Sequence, residues 1–226
     1  MNPALADSRR WVRGGTALLT AMAGHAAPAV FGVDDWDAPS RLPGWTRRHL
    51  GAHLAANADA LRNLVRWAET GEPCPMYASP EQRAADIERG ARRPGPEIAD
   101  WLVAASIELD AAMSALTDQQ WARQVVTAQG RTVGAITVPW LRAREVYVHA
   151  VDFGTGLGFA DLPVAFLHAL IEDVCAKRST QQDDSVIDLV ADDGGRWRLP
   201  GTGDPVRVAG SAGELAAYLT GRGGPA

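Results

Sequence analysis

Apolar positions fall into two regimes along this chain. Up to about residue 153 they recur at steps of three and four, the period of helices laid against a core. Trp11, Leu18, Leu19 and Met22 mark a first helix, broken by Gly24 and the region of Pro28. A loop carrying Asp34, Asp35, Asp37 and Pro43-Gly44 follows. Thr46 is placed to cap a long helix that ends at Thr70, with Gly71 and Pro73 closing it. Ser79-Pro80-Glu81 has the form of a helix start, serine at the cap and proline in the first turn. Residues 96–116 are periodic again, and 124–133 are short, β-branched and split by Gly130, which predicts a hairpin or an extended link. Thr137-Val138-Pro139 opens a last helix to about Phe153. Three or four long helices joined in this way predict an antiparallel bundle.

The second regime begins after Gly-Thr-Gly-Leu-Gly at 154–158, a composition shift that suits a domain boundary. A helix is predicted over 162–177, short strands over 186–191, 196–199 and 206–209, and a closing helix over 212–220. The fold class is therefore α+β: a helical bundle over residues 1–155 and a small α/β domain over 156–226.

Composition narrows the function classes. A chain of 226 residues has room for a medium domain and a small one, and its 46% hydrophobic and 22% charged shares are those of a soluble globular protein. No apolar run is long enough to span a membrane. Arg9, Arg10 and Arg13 precede an apolar stretch at 17–27, but that stretch is short, carries His25 and fits an amphipathic helix better than an export signal. A cytoplasmic protein is expected. The net charge of −5 argues against a nucleic-acid partner, so an anionic substrate would have to be captured by local arginines. Two cysteines, Cys74 and Cys175, fit free thiols in a reducing compartment better than a disulfide framework.

The last bundle helix carries the chemistry. Its inward stripe reads Val138, Leu141, Glu145, Val148, His149 and Asp152, which sets Glu145 near the centre of an apolar face with His149 one turn on. An unpaired carboxylate there would cost several kcal/mol and calls for a cation. On the long second helix the core face is defined by Leu50, Leu54, Leu61 and Leu64, with Asn57 inside it. His53 falls about 60° from the centre of that face and His49 about 100° away, so His53 is the inward candidate and His49 borders solvent or packs near Trp45. His53, Glu145 and His149 make a set suited to one divalent ion, zinc foremost, with an open coordination position. The competing reading is of ordinary hydrogen-bonded core histidines beside a common Glu-x-x-x-His spacing, and pattern alone leaves the two level.

At these residues the chain resembles a known family. Leu42-Pro43-Gly44-Trp45-Thr46, Ala52-His53-Leu54 and Asn57-Ala58 look like the N-terminal signature of mycothiol-dependent maleylpyruvate isomerases, within the DinB-like metal-binding bundles. Arg144-Glu145-Val146 and His149-Ala150-Val151-Asp152 match a second signature. The stretches 75–81 (Pro-Met-Tyr-Ala-Ser-Pro-Glu) and 127–133 (Thr-Ala-Gln-Gly-Arg-Thr-Val) resemble the isomerases more narrowly. The resemblance covers about 42–152 well; the C-terminal part is similar to small sterol-carrier-like α/β domains.

What the resemblance implies is a DinB-like bundle whose metal ligands are His53, Glu145 and His149. The implied activity is cis–trans isomerisation of maleylpyruvate to fumarylpyruvate, a step of aromatic-acid breakdown through gentisate, with mycothiol as the low-molecular-weight thiol. The dicarboxylate substrate calls for arginine forks. Arg83, after the Met76-Tyr77 marker, and Arg222, between Gly221 and Gly223 and able to act as a lid, are the candidates; solvated surface arginines are the plain alternative. Asn57 is a candidate contact for the thiol, and Asp152 a hydrogen-bond acceptor for a ligand histidine. Cys74 and Cys175 make poor nucleophiles, and tryptophans such as Trp101 read as core. Neither membrane nor nucleic acid is expected as a partner, and a monomer is expected. Two rivals stay open: a mycothiol S-transferase of another electrophile, and a non-catalytic metal-stabilised binding module.

Overall fold

A computed structural model describes residues 3–24, 32–33, 35–179 and 185–223; the expectations placed on His25, Pro28 and Asp34 lie outside them. The chain divides into two compact units, one of residues 4–156 and one from Leu157 onward, to which Pro3 also belongs.

The first unit is built on four long helices: α1 (Leu5–Met22), α2 (Arg47–Thr70), α4 (Gly95–Ala115) and α6 (Val138–Asp152). α2 packs on α4 and α6, while α1 packs on α6 and α4, which closes a four-membered ring of helices around one core. Small residues let two of these contacts close: a Cβ on Gly15 of α1 would stand 2.3 Å from Val146 of α6, and one on Gly51 of α2 would stand 2.7 Å from Ile98 of α4. α3 (Pro80–Ala91) lies against α2, with Ser79 Oγ accepting the Gln82 N–H as its cap. α5 (Asp118–Trp121) is a single turn that the apolar period was too short to reveal. The expected hairpin is present: β1 (Gln124–Val126) pairs antiparallel with β2 (Thr132–Gly134), and Gly130 takes φ +74° at its turn.

The long second helix ends as its sequence dictates. Gly71 adopts φ +84° and returns its N–H to the Trp67 carbonyl, a left-handed stop that a side chain would oppose. Thr46 and His49 share the start: His49 Nδ1 accepts the Thr46 N–H at 3.2 Å and lies 2.8 Å from its hydroxyl.

The second unit has α7 (Val164–Arg178), β3 (Val186–Ala191), β4 (Arg196–Leu199), β5 (Pro205–Gly210) and α8 (Ala212–Leu219). Its sheet has the order β4-β3-β5, with β3 antiparallel to β4 and parallel to β5. α7 and α8 pack on each other and on the sheet, burying Phe166, Leu170, Leu189, Leu199 and Leu215. The architecture is α+β. Among the described residues no helix is long and apolar enough to cross a membrane.

Candidate metal centre

The two histidines of α2 part company as their helical phases require. His49 is engaged by the Thr46 cap and stacks on Trp45 with ring centroids 6.3 Å apart. His53, one turn on, is 4% exposed and points into the protein beside Trp45, at 5.6 Å between centroids.

On α6 the expected stripe needs a correction. Its fully buried side is Arg142, Ala143, Val146, Tyr147, Ala150 and Val151, whereas Leu141, Glu145, Val148 and His149 are only partly covered. Glu145 therefore does not sit at the centre of an apolar face; its side chain is 32% exposed, because this side of α6 borders a cavity. Reading the helix as one apolar stripe merged two adjacent faces, one for the core and one for the cavity.

The three residues nonetheless converge. Glu145 Oε2 stands 2.9 Å from His53 Nε2 and 3.5 Å from His149 Nε2, and the candidate ligand atoms all lie within 4.8 Å of one another. Ligands bound tetrahedrally to one zinc ion at about 2.0–2.2 Å stand roughly 3.3–3.6 Å apart, so the group fits a single ion with small side-chain adjustments. The carboxylate between two imidazoles is also the donor set such an ion prefers. His149 Nδ1 lies 2.8 Å from Oδ2 of the fully buried Asp152, which leaves Nε2 to face Glu145.

Electrostatics tie the group together. Burial works against the Glu145 charge, but hydrogen bonds from His149 and His53 outweigh it and hold the carboxyl well below its usual range. Burial likewise opposes a proton on His149, yet Asp152 and Glu145 raise its pKa to about 8. His53 goes the other way: burial lowers its pKa despite Glu145, with His149 and Arg83 adding to the fall.

The cavity beside the group measures about 720 Å³. Residues 75–80 form one wall and 126–130 another, so both of the narrower isomerase-like stretches border it. Arg83 is there too: its Nη2 lies 3.4 Å from His53 Nδ1 and its guanidinium lies over the Tyr77 ring at 5.7 Å. Asn57 lines the cavity, but its Oδ1 accepts from Arg142 at 3.0 Å.

Arg142 is the residue that the sequence reading missed. It is fully buried, and it donates to the Leu54 carbonyl at 2.7 Å and to Ser106 Oγ at 3.0 Å as well as to Asn57. Its place three residues before Glu145, on the same helix and one step off the ligand stripe, was the available signal. Burial lowers its pKa to about 10, leaving it charged at neutral pH. Arg222 belongs to the second unit, where its Nη1 donates to the Thr220 carbonyl at 2.6 Å. Cys175 is buried, and burial pushes its thiol up to about 11, which suits packing rather than attack. Trp101 is not core: it is partly exposed, donates to Asp59 at 2.9 Å and carries Arg93 over its ring.

Comparison with known proteins adds a family and a fold. Residues 16–154 match the family described as the mycothiol maleylpyruvate isomerase N-terminal domain. The crystal structure of the mycothiol-dependent maleylpyruvate isomerase superimposes with a TM-score of 0.89 at 34% identity, over 98% of this chain and 90% of that one. A histidine-to-alanine mutant of that isomerase gives a TM-score of 0.88 at 34% identity, with 98% and 90% of the two chains covered. No curated protein matches.

Proposed function

Because the chain belongs to the mycothiol maleylpyruvate isomerase family, we propose that it is a mycothiol-dependent cis–trans isomerase that converts maleylpyruvate to fumarylpyruvate. The observation that carries the reading is the meeting of His53, Glu145 and His149, the first two of which line a cavity walled by 75–80 and 126–130.

Those three residues would hold one divalent metal ion, zinc by its donor set, at a site of net charge +1 with neutral histidines. Such an ion supplies Lewis acidity that lowers the pKa of a bound thiol or water toward neutrality. The thiol cofactor supplies reversible addition to the conjugated alkene, which makes the carbon–carbon bond single and free to rotate before elimination restores it as trans. The chain's own thiols are poorly suited to that task, Cys175 most clearly.

The remaining work falls to the residues around the ligands. Arg83, at the His53 end of the cavity, offers a planar fork to a substrate carboxylate. Asp152 keeps the proton of His149 on Nδ1 and so fixes which nitrogen faces inward. Arg142 anchors α6 to α2 through the Leu54 carbonyl and Asn57 and so helps to hold Glu145 opposite His53. A part for Arg222 in carboxylate binding stands as a further element of the proposal, read out by the kinetics of Arg222→Ala.

The test is an isomerisation assay on maleylpyruvate with and without mycothiol, before and after chelation. Turnover is expected only with thiol and metal together. Activity without mycothiol would overturn the cofactor. Turnover of a chloronitroarene in place of maleylpyruvate would point to an S-transferase on the same bundle.

A further inference from the structure

Tyr77 stands at the charged end of the cavity with no part in the chemistry assigned so far. It lines that cavity and also a second one, of about 300 Å³, bounded by α2, α3 and Trp101 of α4, so the residue partitions the two. The segment before it is pinned to α2, because Asn63 Nδ2 donates to the Pro75 and Met76 carbonyls at 3.3 and 3.5 Å. The Arg83 guanidinium lies over the Tyr77 ring at 5.7 Å, while its Nη2 stands 3.4 Å from His53 Nδ1. Phenol, guanidinium and the His53 imidazole thus adjoin one another in turn.

The proton inventory makes Tyr77 a donor. Burial raises its pKa, and the opposing pull of Arg83 does not cancel the rise, so the hydroxyl stays protonated at neutral pH. Arg83 acts on that hydroxyl by charge and by hydrogen bonding, and a guanidinium can only donate. The phenolic proton is left for another acceptor, and among the described residues no protein group takes it. A phenol is more acidic than the amides and aliphatic hydroxyls that line the rest of the cavity, and donation to an oxyanion strengthens with the donor's acidity.

Resting on the isomerase reading above, we propose that Tyr77 is a further catalytic residue, whose hydroxyl donates a hydrogen bond to the substrate's ketone oxygen while Arg83 holds the neighbouring carboxylate. In the cis alkene that carboxylate and the ketone lie on the same side, matching two donors that adjoin. When a C–S bond forms at the alkene carbon bearing the carboxylate, the alkene pair moves next to the ketone and the carbonyl pair moves onto its oxygen. A donor fixed at that oxygen favours the charged state over the ground state. After rotation the pairs return, the C–S bond breaks, and Tyr77 keeps its proton throughout.

3-Nitropropionate tests the donor without turnover. Its nitronate sets a delocalised oxyanion at the same spacing from a carboxylate, with nitrogen in place of the ketone carbon. Calorimetry on the metal-loaded chain should show Tyr77→Phe weakening nitronate binding at least about tenfold, and the unionised nitro form by no more than about twofold. For maleylpyruvate, kcat is expected to fall about 100-fold with KM within about threefold. The visible spectrum of the cobalt-loaded variant should match the wild type, since the ring and the metal group are retained. Equal nitronate affinity in the two chains, or an equal loss for both forms of the probe, would overturn the proposal. If the wild-type chain binds the nitronate through Tyr77 but does not isomerise maleylpyruvate, the oxyanion donor stands and the isomerase reading falls.

Discussion

At the scale of single residues, the proton inventory of the ligand group decides how it meets a metal. Asp152 is fully buried, with Oδ2 2.8 Å from His149 Nδ1. Replacing it by Asn leaves the shape but removes the charge that orients the imidazole, and metal affinity is expected to fall about 10–100-fold. Competition against a chelating dye measures this; an unchanged affinity would make Asp152 a packing residue. His149 also sets a pH dependence. Its pKa in the folded, metal-free chain is raised to about 8 from the ordinary 6.5. The protonated form therefore stabilises the apo fold fully below the unfolded value, and that contribution is lost as pH rises through about 8. A metal must displace the same proton. Its affinity should thus climb about tenfold per pH unit below the His149 pKa and level off above it. A flat profile between about pH 6 and 9 would contradict the assignment of His149 as a ligand.

At the scale of elements, the His53–Glu145–His149 cluster exists only because α2 and α6 are held in register, and Arg142 is the cross-brace. Its bonds reach the Leu54 carbonyl and Asn57 on α2 and Ser106 on α4. Arg142→Met keeps much of the volume but leaves buried acceptors without a donor. A loss of about 2–3 kcal/mol is expected from the urea midpoint, with a weaker metal site although no ligand has changed. Gly15→Ala probes the other side of α6: its Cβ would stand 2.3 Å from Val146. Overpacking there should cost about 1–3 kcal/mol. Much of this level was legible in the chain. Thr46 and Gly71 announce the ends of α2, and Gly130 between two β-branched runs announces the hairpin. The helical position of Arg142 was too weak a signal to place it, because a charged residue beside the Glu145–His149 stripe reads as solvent-facing until the neighbouring helices that cover it are known. The partly exposed Glu145 was misplaced for the same reason: helical period tells which residues share a face, not whether that face meets a core or a cavity.

At the scale of the whole molecule, the chain places its chemistry inside a negatively charged protein. The net charge of −5 gives no general attraction for an anion, so the capture of the proposed dicarboxylate falls to local positive charge such as Arg83 at the His53 end of the cavity. The two-part organisation was visible as a change from helical to strand-rich periodicity near the glycines at 154–158, and the structure divides after residue 156. The cavity itself was not visible, because it is assembled from α2, 75–80, 126–130 and α6, and no one of these carries the pattern alone. The most direct measurement is a cobalt(II) titration of the metal-free, full-length chain, followed by visible absorption, beside His53→Ala, Glu145→Ala and His149→Ala. One cobalt ion per chain with intense low-symmetry d–d bands is expected, and each substitution should abolish those bands. Unaltered cobalt binding in all three variants would contradict the account.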